Sequence, residues 1–299
     1  MQGDGVRELL AAAREMGCDY LENEPMRLHT TFKIGGPARV LLFPETEEQI
    51  TALVQCARAN GVRLLTIGNG SNLLVSDKGI DAAVLVMDKH FSAVTVKGNT
   101  IFAQAGASLM KVCRTALEHS LTGLEFAYGI PGSCGGAAFM NAGAGGRYFS
   151  DILESVLVYK DGRIRVLLKE ECGYGYKHSV FMDDSSVILG ASLLLDEADG
   201  QTVARKRAEF LAARRKLPKG RSMGCVFKNP PDVPAGKLID GAGLKGLRVG
   251  GAVISPQHAN FIINEGGATS ADVKALINLI KNAVFAQYGV GLEEEIRYL

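Results

Sequence analysis

Two well-separated glycine-rich segments restrict what this chain can fold into more than any other feature. The first reads Ile67-Gly68-Asn69-Gly70-Ser71-Asn72-Leu73, and the second reads Gly129-Ile130-Pro131-Gly132-Ser133-Cys134-Gly135-Gly136-Ala137. Glycine accepts positive φ and carries no Cβ, so each segment can turn tightly and let the backbone approach a ligand. Successive N–H groups in such a turn form a concavity suited to phosphate or pyrophosphate. The first segment is not a Gly-x-Gly-x-x-Gly dinucleotide fingerprint, because that motif opens a helix, whereas Leu73-Leu74-Val75 reads as a strand. Either segment alone is equally a structural turn; the two together favour a bound nucleotide.

The sequence around the loops alternates between helical and extended periods. Thr46-Glu47-Glu48-Gln49 reads as a capping box, followed by Ile50, Leu53, Val54 and Ala57 at helical spacing. Gly61 ends that helix, and Val62 to Ile67 is the strand feeding the first loop. One hairpin is predicted to turn at Gly98-Asn99, between Val94–Lys97 and Thr100–Ala103, and another at Asp161-Gly162. Ser108 predicts the cap of a helix running to His119, and Ser186 to Leu195 predicts a strand. Thr202 to Lys216 predicts a basic helix with Arg205, Lys206, Arg207, Arg214, Arg215 and Lys216. The rest of the chain is not basic, so that run is read as a solvated helix face. Ser270 predicts the cap of a last helix that aligns Val273, Leu276, Ile277, Ile280 and Val284. A change of character near Asp199-Gly200 predicts a boundary. The division is an N-terminal helix over 1–21, a domain over 22–198 split near 88, and a domain over 199–299.

Composition sets outer bounds. With 299 residues, 47% apolar and 22% charged, the chain is an ordinary globular protein with room for more than one core. A net charge of +1 gives no global electrostatic case for nucleic acid or an anionic membrane. The first turns mix Arg7, Glu8, Arg14 and Glu15 among alanines and leucines, an amphipathic helix rather than a secretory signal. No apolar run is long enough to span a bilayer. Six cysteines show neither Cys-x-x-Cys pairs nor metal-site spacing with histidine, which predicts no metal and free thiols in a reducing cytoplasm.

Further motifs give the chain a familial likeness. Thr31-Phe32-Lys33-Ile34-Gly35-Gly36-Pro37-Ala38, the two glycine loops and Phe139-Met140-Asn141-Ala142-Gly143-Ala144 resemble the FAD-binding half of the UDP-N-acetylenolpyruvoylglucosamine reductase family. Gly224-Cys225-Val226-Phe227-Lys228-Asn229-Pro230, Leu238-Ile239-Asp240, Ser255-Pro256-Gln257-His258-Ala259-Asn260-Phe261 and Leu292-Glu293-Glu294-Glu295-Ile296-Arg297 continue the likeness in the family's order. The resemblance implies an α+β architecture: a two-subdomain FAD-binding fold of the PCMH type, as in vanillyl-alcohol-oxidase-like flavoproteins, then a C-terminal α+β substrate-binding domain. It implies a cytoplasmic step of peptidoglycan precursor synthesis, serving cell-wall biogenesis, cell shape and division. NADPH reduces FAD, which passes hydride to UDP-N-acetylglucosamine enolpyruvate and yields UDP-N-acetylmuramate. A monomer with no nucleic-acid or membrane partner is expected.

The resemblance also assigns residues. FAD falls to Ile67, Gly68, Asn69, Gly70, Ser71, Asn72 and Leu73, then to Gly129, Ile130, Pro131, Gly132, Ser133, Gly135, Gly136 and Ala137, with Asn141 at the flavin ring. Some relatives in the wider fold attach flavin covalently through a histidine in the first loop; that loop has none here, so the FAD is expected to be non-covalent. Hydride transfer leaves an enolate, which needs stabilising charge and an acid that protonates carbon. Where the family places a serine acid, this chain has Cys225, whose thiol can also donate; the alternative is a buried free cysteine. Glu295 matches the family's C-terminal carboxyl group, which must hold or share a proton beside an anionic intermediate; from the sequence alone Glu293, Glu294 and Glu295 each read equally as a solvated surface charge. In Tyr176-Lys177-His178-Ser179 a lysine replaces the usual arginine and supplies charge without the two-pronged fork, or is a surface lysine. Tyr176, Lys228, Asn229, His258 and Asn260 are expected at the substrate, and His258 and Asn260 read equally as structural polar residues. Two rival functions stay open: an FAD-dependent oxidase of the same fold, and a non-catalytic FAD or UDP-sugar binding protein.

Overall fold

The computed structural model describes residues 2–299, with side chains from residue 5 onward. Its chain divides into two compact units. The first holds the chain up to Glu22 together with Val40–Asn69 and Ala82–Arg214; the second holds Asn23–Arg39, Gly70–Asp81 and Arg215–Leu299. The units are interleaved along the sequence, so they do not follow the linear division at 198.

Among the described residues a four-stranded sheet, a five-stranded sheet and five α-helices make up most of the first unit. One sheet has the order Asp19–Pro25, Pro37–Phe43, Ile80–Val86, Leu64–Ile67, the last two parallel. Two helices accompany it, α1 (Gln2–Glu15) and α2 (Glu47–Ala59). Thr46 caps α2 by accepting from the Gln49 N–H, while Gln49 Oε1 takes the N–H of Glu45 at 2.7 Å. The reciprocal bond of the expected capping box therefore falls one residue earlier. The other sheet is antiparallel, ordered Arg163–Leu168, Leu153–Lys160, Val187–Leu194, Thr100–Gln104, Val94–Lys97. Both of its predicted hairpins form, with Gly98 at φ 59° and Asp161-Gly162 at 51° and 77°. Those left-handed angles match the twist of the flanking strands. Helix α3 (Leu109–Glu118) starts from the Ser108 cap as expected, and α4 (Cys134–Met140) and α5 (Gly200–Arg214) complete the unit.

Helix α5 contains Arg205, Lys206, Arg207 and Arg214 of the basic run but stops before Arg215 and Lys216, and its cations are only partly solvated. Lys206 donates to Thr122 Oγ1 at 2.9 Å and the Arg207 guanidinium lies 4.6 Å from the Tyr128 ring centroid, whereas Arg205 pairs with Glu209 on the surface. Phe210 and Leu211 of the same helix pack against the first unit's core, and Val203 is buried. This packing is why residues 200–214 belong with the first unit.

All six cysteines are free, and Cys18, Cys113, Cys134 and Cys172 are buried. Burial pushes the Cys113 and Cys134 thiols up to about 12 from an ordinary 9.0. A raised folded-state value stabilises the fold below the unfolded pKa, and that contribution is lost as pH climbs through the folded one. Under reducing conditions the denaturation midpoint should therefore fall between pH 9 and pH 12. Iodoacetamide mapping of the native protein should leave Cys113 and Cys134 unlabelled until the chain unfolds.

Helices α6 (Ala235–Gly241) and α7 (Ser270–Tyr288) and the antiparallel strands Arg248–Val249, Ala252–Ile254 and Ile262–Asn264 frame the second unit. Helix α7 buries Val273, Leu276, Ile277, Ile280 and Val284, the face predicted for it. Its cap is Thr269 rather than Ser270: Thr269 is extended at φ −102° and exchanges reciprocal bonds with Asp272. Ser270 instead ties α7 to a distant segment, since Asp77 accepts from the Ser270 N–H at 2.8 Å and its hydroxyl at 2.7 Å. Phe32, Ile34 and Leu74 complete a core otherwise made from the C-terminal third, and Asn264 Nδ2 donates to the Phe32 carbonyl at 3.0 Å. These long-range contacts draw 23–39 and 70–81 into the second unit.

Candidate active site

The first glycine loop is shared, with Ile67, Gly68 and Asn69 in the first unit and Gly70 onward in the second. In the first unit the two loops meet. An ideal Cβ on Gly68 would lie 2.1 Å from Ser133 Oγ, so only glycine permits this approach. Ser133 also caps α4, accepting from the Gly136 N–H at 3.2 Å. The amides of Cys134 and Gly135 donate to the carbonyls of Ala107 and Ala105, and that of Ile130 donates to Ala127. Several N–H groups assigned to a phosphate from sequence are thus spent on the loop's own scaffold. A Cβ on Gly136 would meet nothing nearer than Ser133 Oγ at 3.4 Å, so this exposed glycine leaves the protein side of the cradle open. Glycine loops distant in sequence and in contact in space fit an extended cofactor with a pyrophosphate.

Helix α4 carries the second loop's geometry to Lys177. It ends at Asn141, a left-handed residue (φ 43°) that is buried. The Asn141 amide donates to the Gly175 carbonyl at 2.9 Å and accepts from the Ser150 N–H at 2.9 Å. Ser179 Oγ donates to the Phe139 carbonyl at 2.6 Å. These bonds hold a tight turn in which Gly175 and His178 exchange backbone hydrogen bonds, with Tyr176 and Lys177 at its corner. Lys177 has φ 54°, uncommon for a side chain with Cβ. Tyr176 meets Tyr148 edge to face at 6.2 Å. Asn141, expected at the flavin ring, serves here as the brace of the Lys177 turn.

In the second unit three backbone segments lie side by side. Cys225 bridges to Phe261, the Val226 N–H donates to the Asn260 carbonyl at 2.9 Å, and the Glu295 N–H donates to the Val226 carbonyl at 2.8 Å. Cys225 and Glu295, far apart in sequence, therefore stand on adjacent segments, both partly exposed. Asn260 is 2% exposed, and its amide accepts from the Phe227 N–H at 2.9 Å and donates to the Phe227 carbonyl at 2.8 Å. The structure thus uses Asn260 as a brace behind Cys225, one of the two readings its sequence allowed. Asn229 Oδ1 accepts from the Ala235 N–H at 3.0 Å and closes the turn before α6.

Two expected anion contacts have their own partners. Lys228 forms an ion pair with Glu293 at 2.6 Å, so an anion must compete for it. Burial lowers the His258 pKa, and its Nδ1 accepts from the Asn260 N–H at 3.3 Å. Burial thus disfavours the charged ring, and with Nδ1 accepting, the neutral ring carries its proton on Nε2, where it can donate to an oxygen. Sequence reading passed over Asn72 as a link to the catalytic set, and it passed over Asp77 altogether. Neither has a local signal, because their partners are about two hundred residues away. Among the described residues no group of three or more His, Cys, Asp or Glu could hold a metal ion. Among the same residues no helix is long and apolar enough to cross a membrane.

Comparison with known proteins accounts for both halves. Residues 38–167 match the family model of an FAD-binding domain, and residues 215–299 match that of the UDP-N-acetylenolpyruvoylglucosamine reductase C-terminal domain. The chain is 42% identical over 283 residues to the UDP-N-acetylenolpyruvoylglucosamine reductase of Alkaliphilus oremlandii, covering 93% of this chain and 92% of the relative. It is 43% identical over 298 residues to the enzyme of the same name from Caldanaerobacter subterraneus, covering 98% and 96%. A crystal structure of UDP-N-acetylenolpyruvylglucosamine reductase from Thermus caldophilus superposes with a TM-score of 0.82 at 37% identity, over 94% of this chain and 98% of that one. With both halves matched and nearly the full length aligned, the chain belongs to the UDP-N-acetylenolpyruvoylglucosamine reductase family.

Proposed function

We propose that the reduction of UDP-N-acetylglucosamine enolpyruvate runs on this chain with a thiol in place of the family's hydroxyl acid. Family membership supplies the overall reaction: an FAD-dependent oxidoreductase that uses NADPH and forms UDP-N-acetylmuramate. Held by the two glycine loops, FAD would supply the hydride for the methylene carbon of the enolpyruvyl ether. The observation that carries the proposal is the placement of Cys225 beside the Glu295 segment.

Hydride addition puts negative charge on the adjacent carbon and its carboxylate. Cys225 gives its proton to that carbon and is left as a thiolate, which regains a proton from water. Glu295, holding a proton, donates to the enolate oxygen as charge develops there. Lys177 supplies positive charge for the same anion, as a point charge rather than a fork. The glycine loops, from Ile67 to Leu73 and from Gly129 to Ala137, hold FAD without a covalent bond. His258 Nε2 and Lys228 serve the substrate's sugar and diphosphate, the resemblance assigns Asn229 and Tyr176 to the substrate as well, and Asn141 and Asn260 act as braces. A monomer in the cytoplasm completes the reading.

NADPH oxidation by the purified protein, with and without the enolpyruvyl substrate, tests it. Substrate-dependent oxidation with stoichiometric UDP-N-acetylmuramate supports the proposal. FAD-loaded protein that oxidises NADPH only with oxygen as acceptor points to the oxidase, and binding without turnover points to a non-catalytic role. Lys177→Arg is expected to keep or raise turnover, because arginine adds a fork that matches a carboxylate; a large loss in a folded variant contradicts the role given to Lys177. The flavin spectrum should leave the protein on acid precipitation.

A further inference from the structure

In the second unit the first glycine loop runs directly into a pairing with the C-terminal tail. Leu73 and Leu74 lie parallel to Arg297 and Tyr298. The Arg297 N–H donates to the Asn72 carbonyl at 3.0 Å, the Leu299 N–H to the Leu74 carbonyl at 3.1 Å, and the Ser76 N–H to the Leu299 carbonyl at 2.8 Å. One side chain adds to this ladder: Asn72 Nδ2 donates to the Glu295 carbonyl at 3.0 Å. Asn72 thus grips the tail twice, with its carbonyl at Arg297 and its amide at Glu295. The Glu295 peptide is held from the other side too, where its N–H donates to the Val226 carbonyl at 2.8 Å, one residue past Cys225.

This geometry gives the loop a lever on the carboxylate. A parallel pair only two residues long carries little stability of its own, so its order depends on what orders either partner. A loop fixed against a ligand fixes Asn72, and Asn72 fixes both peptides that flank Ile296. Without the side-chain bond, Glu295 keeps its N–H bond to the Val226 carbonyl and loses the bond its own carbonyl takes from the loop.

We propose that Asn72 is a positioning residue for Glu295, coupling the ordering of the cofactor loop to the placement of the C-terminal carboxyl group. This rests on the role given above to Glu295. Asn72 is not a catalytic residue in this proposal; it acts through the Glu295 peptide.

The test compares Asn72→Ala, Asn72→Asp, Glu295→Gln and the Asn72→Ala/Glu295→Gln double variant of the full-length, FAD-saturated protein. Aspartate keeps the size of asparagine and lacks the N–H donor. Asn72 also lies in the loop assigned to FAD, so NADPH-driven flavin reduction is measured beside reoxidation in both Asn72 variants and should fall far less, because that half-reaction does not use Glu295. Reoxidation by the enolpyruvyl substrate should fall about 10- to 100-fold, the scale of an ångström-sized misplacement. In the Glu295→Gln background the Asn72→Ala change should cost nothing further, since residues acting as a unit are not additive.

A second readout needs no turnover. Hydrogen exchange at the amides of Arg297 and Leu299 should slow when FAD is added to wild-type apoprotein, and should slow much less in Asn72→Ala. An equal loss of reoxidation in the Glu295→Gln background overturns the proposal, as does a fall in flavin reduction as large as that in reoxidation. Wild-type reoxidation in Asn72→Ala beside a defective Glu295→Gln overturns the positioning alone. A Glu295→Gln variant that reoxidises normally removes the role of Glu295 itself, and the positioning falls with it. If both Asn72 variants fail to fold, tail amides that FAD leaves unprotected in wild-type protein overturn the coupling.

Discussion

Cys225→Ala is expected to lower turnover roughly 100- to 10,000-fold, the range over which a positioned general acid accelerates proton transfer. The loss should fall on substrate-dependent flavin reoxidation, leaving reduction by NADPH intact, because only the second half-reaction delivers a proton to carbon. Stopped-flow measurement of the two half-reactions separates these cases. Cys225→Ser should retain activity, since a hydroxyl occupies the same position and is the group the family uses. A thiol is a far stronger acid than a serine hydroxyl. The same acidity makes a partly exposed thiol open to oxidation to sulfenic acid. Hydrogen peroxide should therefore inactivate the wild type, reversibly by thiol reductant at low dose, and spare Cys225→Ser. Full turnover in a folded Cys225→Ala protein would remove the thiol from the mechanism.

The second large effect is on stability. Asn260→Ala should destabilise the protein by on the order of 2–5 kcal/mol, because it strands two buried backbone groups at once. The Phe227 N–H and carbonyl both bond to the Asn260 amide, and Phe227 is 1% exposed in the second unit's core. Urea denaturation checks the magnitude, provided that the slope stays that of wild type. A ligand role predicts a different outcome, a raised KM with an unchanged unfolding midpoint. The brace reading predicts a lower midpoint and a lower kcat together, because the peptides on either side of Phe227, two residues past Cys225, lose their support. Asn260→Asp should also be costly: it keeps an acceptor for the Phe227 N–H but turns the donor into a second acceptor facing a carbonyl.

The same contrast runs through the site. The Lys177 turn, the Cys225 segment and the Glu295 segment were legible as motifs, because their residue types and order are read along the chain. What each neighbouring polar residue does was not. Asn141, Asn229 and Asn260 look alike in sequence, and in the structure each side chain is bonded to backbone. An amide serves equally well as a ligand or a brace, and only the position of its partners decides. Lys228 and His258 illustrate the electrostatic version, one cation paired with Glu293 and one imidazole whose charged form burial disfavours.

Local elements were set by the sequence alone. Hairpins at Gly98-Asn99 and Asp161-Gly162, the Ser108 cap and the apolar face of α7 depend on residues within a few positions of one another, so propensity and period suffice. The ordered motifs likewise determined the family and its reaction. Only the tertiary structure decided that 23–39 and 70–81 join the C-terminal unit, that α5 packs with the first core, and that Gly68 abuts Ser133. It also made Thr269 rather than Ser270 the cap of α7, since Ser270 is claimed by Asp77. Each of these outcomes rests on contacts between residues tens to hundreds of positions apart. Such contacts leave no periodic or compositional trace in either partner's neighbourhood, and they exist only once both cores have closed.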